Sequence, residues 1–364
     1  MTPYFFVLIL FFIGLNARKK KPFFLLCALC MFLIVALRAY SVGTDTQTYL
    51  RWFVYKTYVH DTEPLWDQYM MSFRSITDNT QLFLAFSAGI TLIPLFYLIY
   101  KKSSYALLSL FVYFILPNDQ GYIFTMTGMR QALAATIVMF EFYAYEKKKW
   151  IVVPLLAVTA FFVHNSSIIA ALGLLIMSFV KINKKIGVIL LLISVFLMLV
   201  SVSTADIFSL ISKSQLINIE FIEDYSSYST YLEGEYNITF VQTLFLVIPI
   251  IMMIILLLQN PKVLETIYAR LYIFGGVLLC AMSQVPMISR YYMYFILTEV
   301  FLIPEIYRSR ENINNKQLCV TLIVMQAVIL FWYLYVNYRN GLSWSVRRVT
   351  PYYFFFNAPY GPYI

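Results

Sequence analysis

Along this chain, apolar residues run without interruption, stop at a short polar stretch, and start again, twelve times over. The runs are continuous and do not alternate with period two, so they read as helices and not strands. They cover approximately 3–16, 22–38, 81–100, 104–117, 127–145, 151–163, 166–180, 186–203, 238–258, 267–283, 289–306 and 317–336. Crossing the hydrocarbon of a bilayer takes roughly 20 apolar residues, and most of these runs approach that length. The first is short, at roughly 13 to 15 residues, but the lysine run after it ends it firmly. The stretch from Trp150 to Val180 is too long for one crossing and carries basic clusters at both ends. It reads as two spans, reversing at the polar turn His164, Asn165, Ser166, Ser167.

Three segments are too polar to span: 39–80, 204–237 and 337–364. Within the first, Leu65, Tyr69, Met70, Phe73 and Ile76 recur near one helical face, which predicts an amphipathic helix over 63–76 lying at the membrane interface. Ile207, Leu210, Ile211, Ile217, Ile219 and Phe221 predict further short interfacial helices in the second. The third holds an aromatic run from Tyr352 to Phe356, suited to anchoring at the headgroups. There is no internal repeat and no soluble domain, so residues 1–364 read as a single polytopic membrane domain.

Composition agrees. The chain is 61% hydrophobic and 12% charged, with mean hydropathy +0.74, which excludes a water-soluble domain of this length. The net charge of +9 does not signal nucleic-acid binding, because its sources are spread as topology determinants. Seventeen of the 27 Lys and Arg fall in short clusters: Arg18 to Lys21, Lys101 and Lys102, Lys147 to Lys149, Lys181 with Lys184 and Lys185, Lys262 with Arg270, and Arg308 with Arg310 and Lys316. Placing all of these on the cytoplasmic side threads the spans consistently, as the positive-inside rule requires. Both termini and the three polar segments then face outward. The first apolar run has no basic residues before it and no small-residue cleavage site after it, so no cleavable leader is expected. Cys27 and Cys30 match C-x-x-C, but thiols in hydrocarbon have little reactivity, and all four cysteines read as packing residues.

The ten remaining basic residues are not needed for topology. Four outer clusters hold the most chemistry: Arg38 to Tyr49, with a Gly43-Thr44-Asp45 turn; Met126 to Gln131, with Arg130 in the first turn of a span; His164 to Ser167; and Ser289 to Tyr294, with Arg290 opening a span. Any one arginine at a helix end usually reaches for headgroups, and Gly-Thr-Asp can be a simple turn. Yet three arginines, one aspartate and one of only two histidines share one side and one depth. Guanidinium forks bind phosphate oxygens in pairs, and a carboxylate or imidazole can take a proton from a sugar hydroxyl. These are parts for handling a lipid diphosphate. Glu141 and Glu299 lie inside spans; Glu141 is near the cytoplasmic end and within reach of the interface, and the deeper Glu299 reads as a structural or coupling residue. No phosphate-binding loop, H-E-x-x-H or metal-ligand cluster is present, so no metal or other cofactor is expected.

These clusters resemble, in order, the EpsG-like family of bacterial polysaccharide polymerases, grouped with Wzy-type O-antigen polymerases. The resemblance rests on Arg38, Val42-Gly43-Thr44-Asp45 and Tyr49, then Glu63-Pro64-Leu65, Arg130-Gln131 with Ala134, His164 with Ser166, and Arg290-Tyr291 with Tyr294; nothing matches over 185–285. It implies a metal-independent membrane glycosyltransferase of GT-C-like, all-α architecture in the bacterial cytoplasmic membrane. Such an enzyme joins oligosaccharide units carried on undecaprenyl diphosphate into O-antigen, capsule or exopolysaccharide at the outer face, among membrane lipid, a chain-length regulator and a flippase. Under it, Arg130 and Arg290 clamp the leaving diphosphate and Arg38 is a weaker third. His164, slightly ahead of Asp45, is the base. Gln131, Ser166, Tyr294 and Tyr49 bind substrate, and the 204–237 loop is an acceptor platform. A lipid-linked oligosaccharide transporter, an O-antigen ligase, a polyprenyl-phosphate-sugar glycosyltransferase and a structural subunit remain open on the residues alone.

Overall fold

The computed structural model describes residues 2–55, 63–117, 120–200, 240–281, 288–309, 313–340 and 349–358. Its helices are α1 (Thr2–Asn16), α2 (Lys20–Ala36), α3 (Thr46–Tyr55), α4 (Pro64–Ile76), α5 (Thr80–Lys102), α6 (Ala106–Ile115), α7 (Phe124–Thr127), α8 (Met129–Glu146), α9 (Val152–Val163), α10 (Ile168–Phe179), α11 (Lys184–Val200), α12 (Phe240–Leu258), α13 (Pro261–Leu264), α14 (Ile267–Ala281), α15 (Ile288–Ile296), α16 (Glu299–Arg308) and α17 (Ile313–Asn340). Among the described residues there is no strand, only an isolated antiparallel bridge between Arg38 and Phe354.

The surface explains why the helices are apolar on every side. Phe6, Ile9 and Phe12 on α1, Leu25 and Leu29 on α2, Ile93 and Tyr97 on α5, Leu155 and Val158 on α9, and Leu192 and Phe196 on α11 are each more than half exposed. A water-soluble domain does not present apolar residues on this scale, whereas lipid accepts them. The chain is therefore an all-helical membrane protein. Helix α5 and the stretch Asn314–Arg339 of α17 are each long and apolar enough to cross a bilayer unaided; α1, α6, α9 and α10 are shorter apolar helices.

Local signals set the boundaries. Asn79 caps α5 by accepting from Gln81 N at 2.9 Å and Leu82 N at 3.0 Å. Pro64 opens α4 at the first helical position, where its missing N–H costs nothing. The polar turn expected near residue 164 is a single 3₁₀ turn, Asn165–Ser167, joining α9 to α10.

Several members of the basic clusters pack against the ends of neighbouring helices. Lys102 bonds Glu146 at 2.5 Å and lies 4.2 Å from the centre of the Tyr268 ring. Lys20 lies over Tyr105 and Lys21 over Tyr100. Arg308 donates to Ser104 O, and Arg270 donates to Met177 O and Val180 O. These basic residues cover carbonyls and rings at helix ends.

Several expectations need correction. The run at 104–117 forms only a ten-residue helix, α6, whose residues 107–115 are all buried. At 1.5 Å per residue it is roughly half the hydrocarbon thickness. The irregular backbone at Leu116, Pro117 and Gln120 to Ile123 is tolerated because those residues are buried in protein. The run at 289–306 breaks at Leu297 and Thr298, where the Thr298 hydroxyl turns back to Phe295 O at 2.7 Å. Helix α4 forms as expected, but its inward face is Trp66, Tyr69, Met70 and Phe73, while Leu65 and Ile76 face out at 41% and 81% exposure. The unforeseen helix α3 supplies the reason: α3, α4 and the start of α5 share a small aromatic core of their own. The tail also differs from a free aromatic anchor. Ala39 N donates to Tyr353 O and Phe355 N to Leu37 O, Tyr352 OH reaches Ile34 O, and Tyr4 OH reaches Val349 O; of the aromatic run from Tyr352 to Phe356, Phe355 and Phe356 are exposed and the rest are half-buried. The interfacial helices and acceptor platform expected within 204–237 lie outside the described residues.

Candidate functional site

A glycine brings the first two clusters together. Gly43 has φ +91°, and a Cβ there would stand 2.0 Å from Met126 O. Only glycine lets the two backbones touch this closely. Thr46 seals the contact, its hydroxyl lying 2.8 Å from Val42 O and 3.1 Å from Met126 O. The turn at 126–128 then launches α8, with Arg130 in its first turn.

Arg130 extends over the rings of Trp52 and Tyr49, 5.2 and 5.7 Å from their centres. Its Nη1 donates to Glu63 Oε2, and its buried Nε carries no hydrogen bond. The other oxygen of Glu63 accepts from His164 Nδ1 at 2.5 Å and from Asn165 N at 3.3 Å. Glu63 is 3% exposed. One carboxylate thus joins the start of α4, the start of α8 and the tip of the α9–α10 hairpin.

The fourth cluster closes the group. Gln131 Nε2 donates to Arg290 O at 2.5 Å, and Ser166 Oγ lies 2.8 Å from Tyr294 OH. Gln131, Ser166 and Tyr294 are buried, and Arg290 is half-buried, close enough for its charge to act on His164.

The electrostatics separate the two titrating groups. Burial pushes the Glu63 carboxyl up, but the bond from His164, the charges of His164 and Arg130, and the Asn165 amide outweigh it and hold it below 4.5. Burial pushes His164 below 6.5; Glu63 opposes this, and Arg130 and Arg290 add to it. At neutral pH the site therefore holds an ionised carboxylate and a neutral imidazole. A carboxylate only accepts, so the imidazole hydrogen sits on Nδ1. His164 Nε2, which has no hydrogen bond among the described residues, is left with its lone pair open. Two guanidiniums and an unprotonated base side by side can bind an anion and remove a proton next to it.

Of the residues expected from sequence, Arg130, Gln131, His164, Ser166, Arg290, Tyr294 and Tyr49 come together. Arg38 does not join them, and Asp45 lies at their edge, close enough for its charge to act on Tyr49. Arg38 is 1% exposed; its Nη1 donates to Val35 O at 2.6 Å, Nη2 meets Met129 Sδ at 3.2 Å and Nε meets Thr46 Oγ1 at 3.5 Å. It faces a void of about one water's size beside Ser87, Thr91 and Thr125. Asp45 is half-buried on the turn before α3, where its carbonyl accepts from Tyr49 N at 3.0 Å. The carboxylate that meets His164 is Glu63. Sequence reasoning included Glu63 in the Glu63-Pro64-Leu65 motif of the resemblance but gave it no role, because it is one acid among many in the outer segments.

The model of the EpsG family matches residues 21–354, a range that includes every residue of this cluster. Comparison with curated proteins and with solved structures gives no match.

Proposed function

The chain belongs to the EpsG family, and on that premise we propose that it is a membrane glycosyltransferase that polymerises lipid-linked oligosaccharide repeat units at the outer face of the cytoplasmic membrane. The observation that carries this reading is the open Nε2 of a neutral His164 beside Arg130 and Arg290. The donor is a growing chain on undecaprenyl diphosphate, and the acceptor is a hydroxyl of an incoming unit. The acceptor proton passes to His164 Nε2. The freed oxygen bonds to the anomeric carbon, the bond from that carbon to the diphosphate oxygen breaks, and its electron pair leaves on the diphosphate. Arg130 and Arg290 face that developing charge. The protonated imidazole returns its proton to water or to the departing phosphate.

Gln131 supports this arrangement by tying the backbone at Arg290 to the start of α8. Ser166 and Tyr294 lock the hairpin tip to α15. Tyr49 and Trp52 give Arg130 a flat backing that keeps its fork extended. Arg38, held against α8 through Met129, supports this turn from inside the protein.

The test is the cell-surface polysaccharide of a deletion strain, run on a gel beside strains carrying wild type, Arg130→Ala and His164→Ala. A single capped repeat unit in place of a ladder, restored by wild type and by neither variant, is expected. Loss of even the single unit from the surface would instead indicate a transporter or ligase and overturn the polymerase reading.

A further inference from the structure

We infer that Glu63 is the positioning residue of this site: one carboxylate oxygen fixes the His164 hydrogen on Nδ1 and so presents Nε2 as the base, while the other holds Arg130 in place. The inference rests on the polymerase reading above.

Three observations carry it. First, the geometry is complete on the protein side. Oε1 takes His164 Nδ1 and Asn165 N, and Oε2 takes Arg130 Nη1, so three donors from two separate elements end on one buried group. Second, the carboxylate forgoes its local alternative. Glu63 precedes the first residue of α4, where a carboxylate is favoured by the free amides and dipole of its own helix. Its side chain makes no bond to those amides, and it turns to the hairpin tip instead. Third, the direction of the bond matters chemically. The imidazole has two nitrogens and, when neutral, one hydrogen. An acceptor-only partner on Nδ1 excludes the tautomer in which Nε2 carries the hydrogen and cannot act as a base. Pro64 restrains the backbone from which Glu63 reaches, and Asn165 N ties the carboxylate to the residue after His164.

A purely structural role would be to pin α4 to the hairpin. Such a pin affects folding and leaves the pH dependence of turnover alone. A positioning role predicts more. Glutamine has nearly the same shape, but its amide can either accept from or donate to Nδ1, so the tautomer is no longer fixed and the charge that supports the imidazolium is gone.

The experiment uses the full-length protein in proteoliposomes with lipid-linked repeat units, reading chain elongation over time. For Glu63→Gln, kcat is expected to fall by about 10²- to 10⁴-fold, the upper end being that seen when a serine-protease triad carboxylate becomes an amide. KM should stay within about threefold, and the acid limb of the pH profile should move to lower pH, because a group that raises the His164 pKa has been removed. Glu63→Ala should regain turnover on adding formate, which supplies the missing carboxylate. A Glu63→Gln protein with kcat within about threefold of wild type and an unmoved acid limb overturns the inference. If Glu63→Gln fails to elute as a folded protein, Glu63→Ala decides alone: formate rescue supports the positioning role and its absence overturns it. His164→Ala and Arg130→Ala run in the same assay. If both elongate like wild type, the polymerase site itself is wrong; if both are dead while Glu63→Gln is active, only the role of Glu63 falls.

Discussion

Replacing Gly43 by alanine is the sharpest test of how the site is assembled, because the residue is buried against Met126 and Thr46, outside the cluster around Glu63. Its added methyl would stand 2.0 Å from Met126 O, 2.8 Å from Met126 C and 2.7 Å from Thr46 Oγ1. The first two are backbone atoms, so no side-chain rotation relieves the clash. Reaching even a 3.0 Å contact requires the two turns to part by about 1 Å. Forcing a residue with a Cβ into the left-handed region costs about 1–2 kcal/mol, losing the bond from Thr46 to Met126 O about 1 kcal/mol, and overpacking about 1–3 kcal/mol, for a total of about 3–6 kcal/mol. The same shift displaces the turn that launches Arg130, and a 1 Å error in a catalytic constellation can lower the rate by about 10²-fold. Thermal melting of the detergent-purified protein reads the first effect and the polysaccharide ladder reads the second. Gly89→Ala is the control: its Cβ meets only Ile93 Cδ1 at 3.8 Å and Phe32 Cε2 at 3.9 Å, both ordinary contacts. If Gly43→Ala melts alongside Gly89→Ala and makes a normal ladder, the close approach is not what positions α8.

Three further outcomes follow from the same geometry. Turnover should hold steady from neutral pH downward and fall on an acid limb below 6.5, the ordinary histidine value, because His164 loses its lone pair only there; a limb above 6.5 in a pH–rate profile contradicts the burial argument. Stability should fall with acid in the same sense. Both groups bind protons more tightly when unfolded, so stability present at neutral pH declines below about 6.5 for His164 and again below 4.5 for Glu63, and melting at stepped pH measures it. Glu299 accepts from Tyr272 OH at 2.5 Å and Gln326 Nε2 at 2.6 Å, so Glu299→Ala leaves two buried donors unpaired and should cost about 2–6 kcal/mol, at about 1–3 kcal/mol each; a melting point equal to wild type would show that α14, α16 and α17 are not joined through it.

Much of the fold was legible in the sequence, for a plain reason. In lipid, a segment must satisfy its own backbone hydrogen bonds, so each apolar run becomes a helix wherever it lies. The reversal at His164 was equally readable, since one apolar stretch with basic clusters at both ends must turn in its middle. Where this reasoning failed, length was judged without surroundings. The run at 104–117 had the right composition for a span, but its helix is short and enclosed on every side by protein. Leu65 and Ile76 lie near the helical stripe of α4, but the stripe was drawn toward the membrane when its true partners were the aromatic rings of α3 and α5. The tail read as a headgroup anchor because aromatic residues say nothing about which backbone they will pair with.

The sequence by itself determined that this is an all-helical membrane protein and which short clusters hold the residue types suited to chemistry. Those are properties of composition and spacing, readable one segment at a time. Only the tertiary structure decided that Glu63 would meet Arg130, 67 positions away, and His164, 101 positions away, while Arg38 would turn its guanidinium to Val35 O and Met129 Sδ. The difference is physical: an acid in an outer segment becomes chemically distinct only once packing removes it from water and surrounds it with donors, and that environment is assembled from helices far apart in the chain.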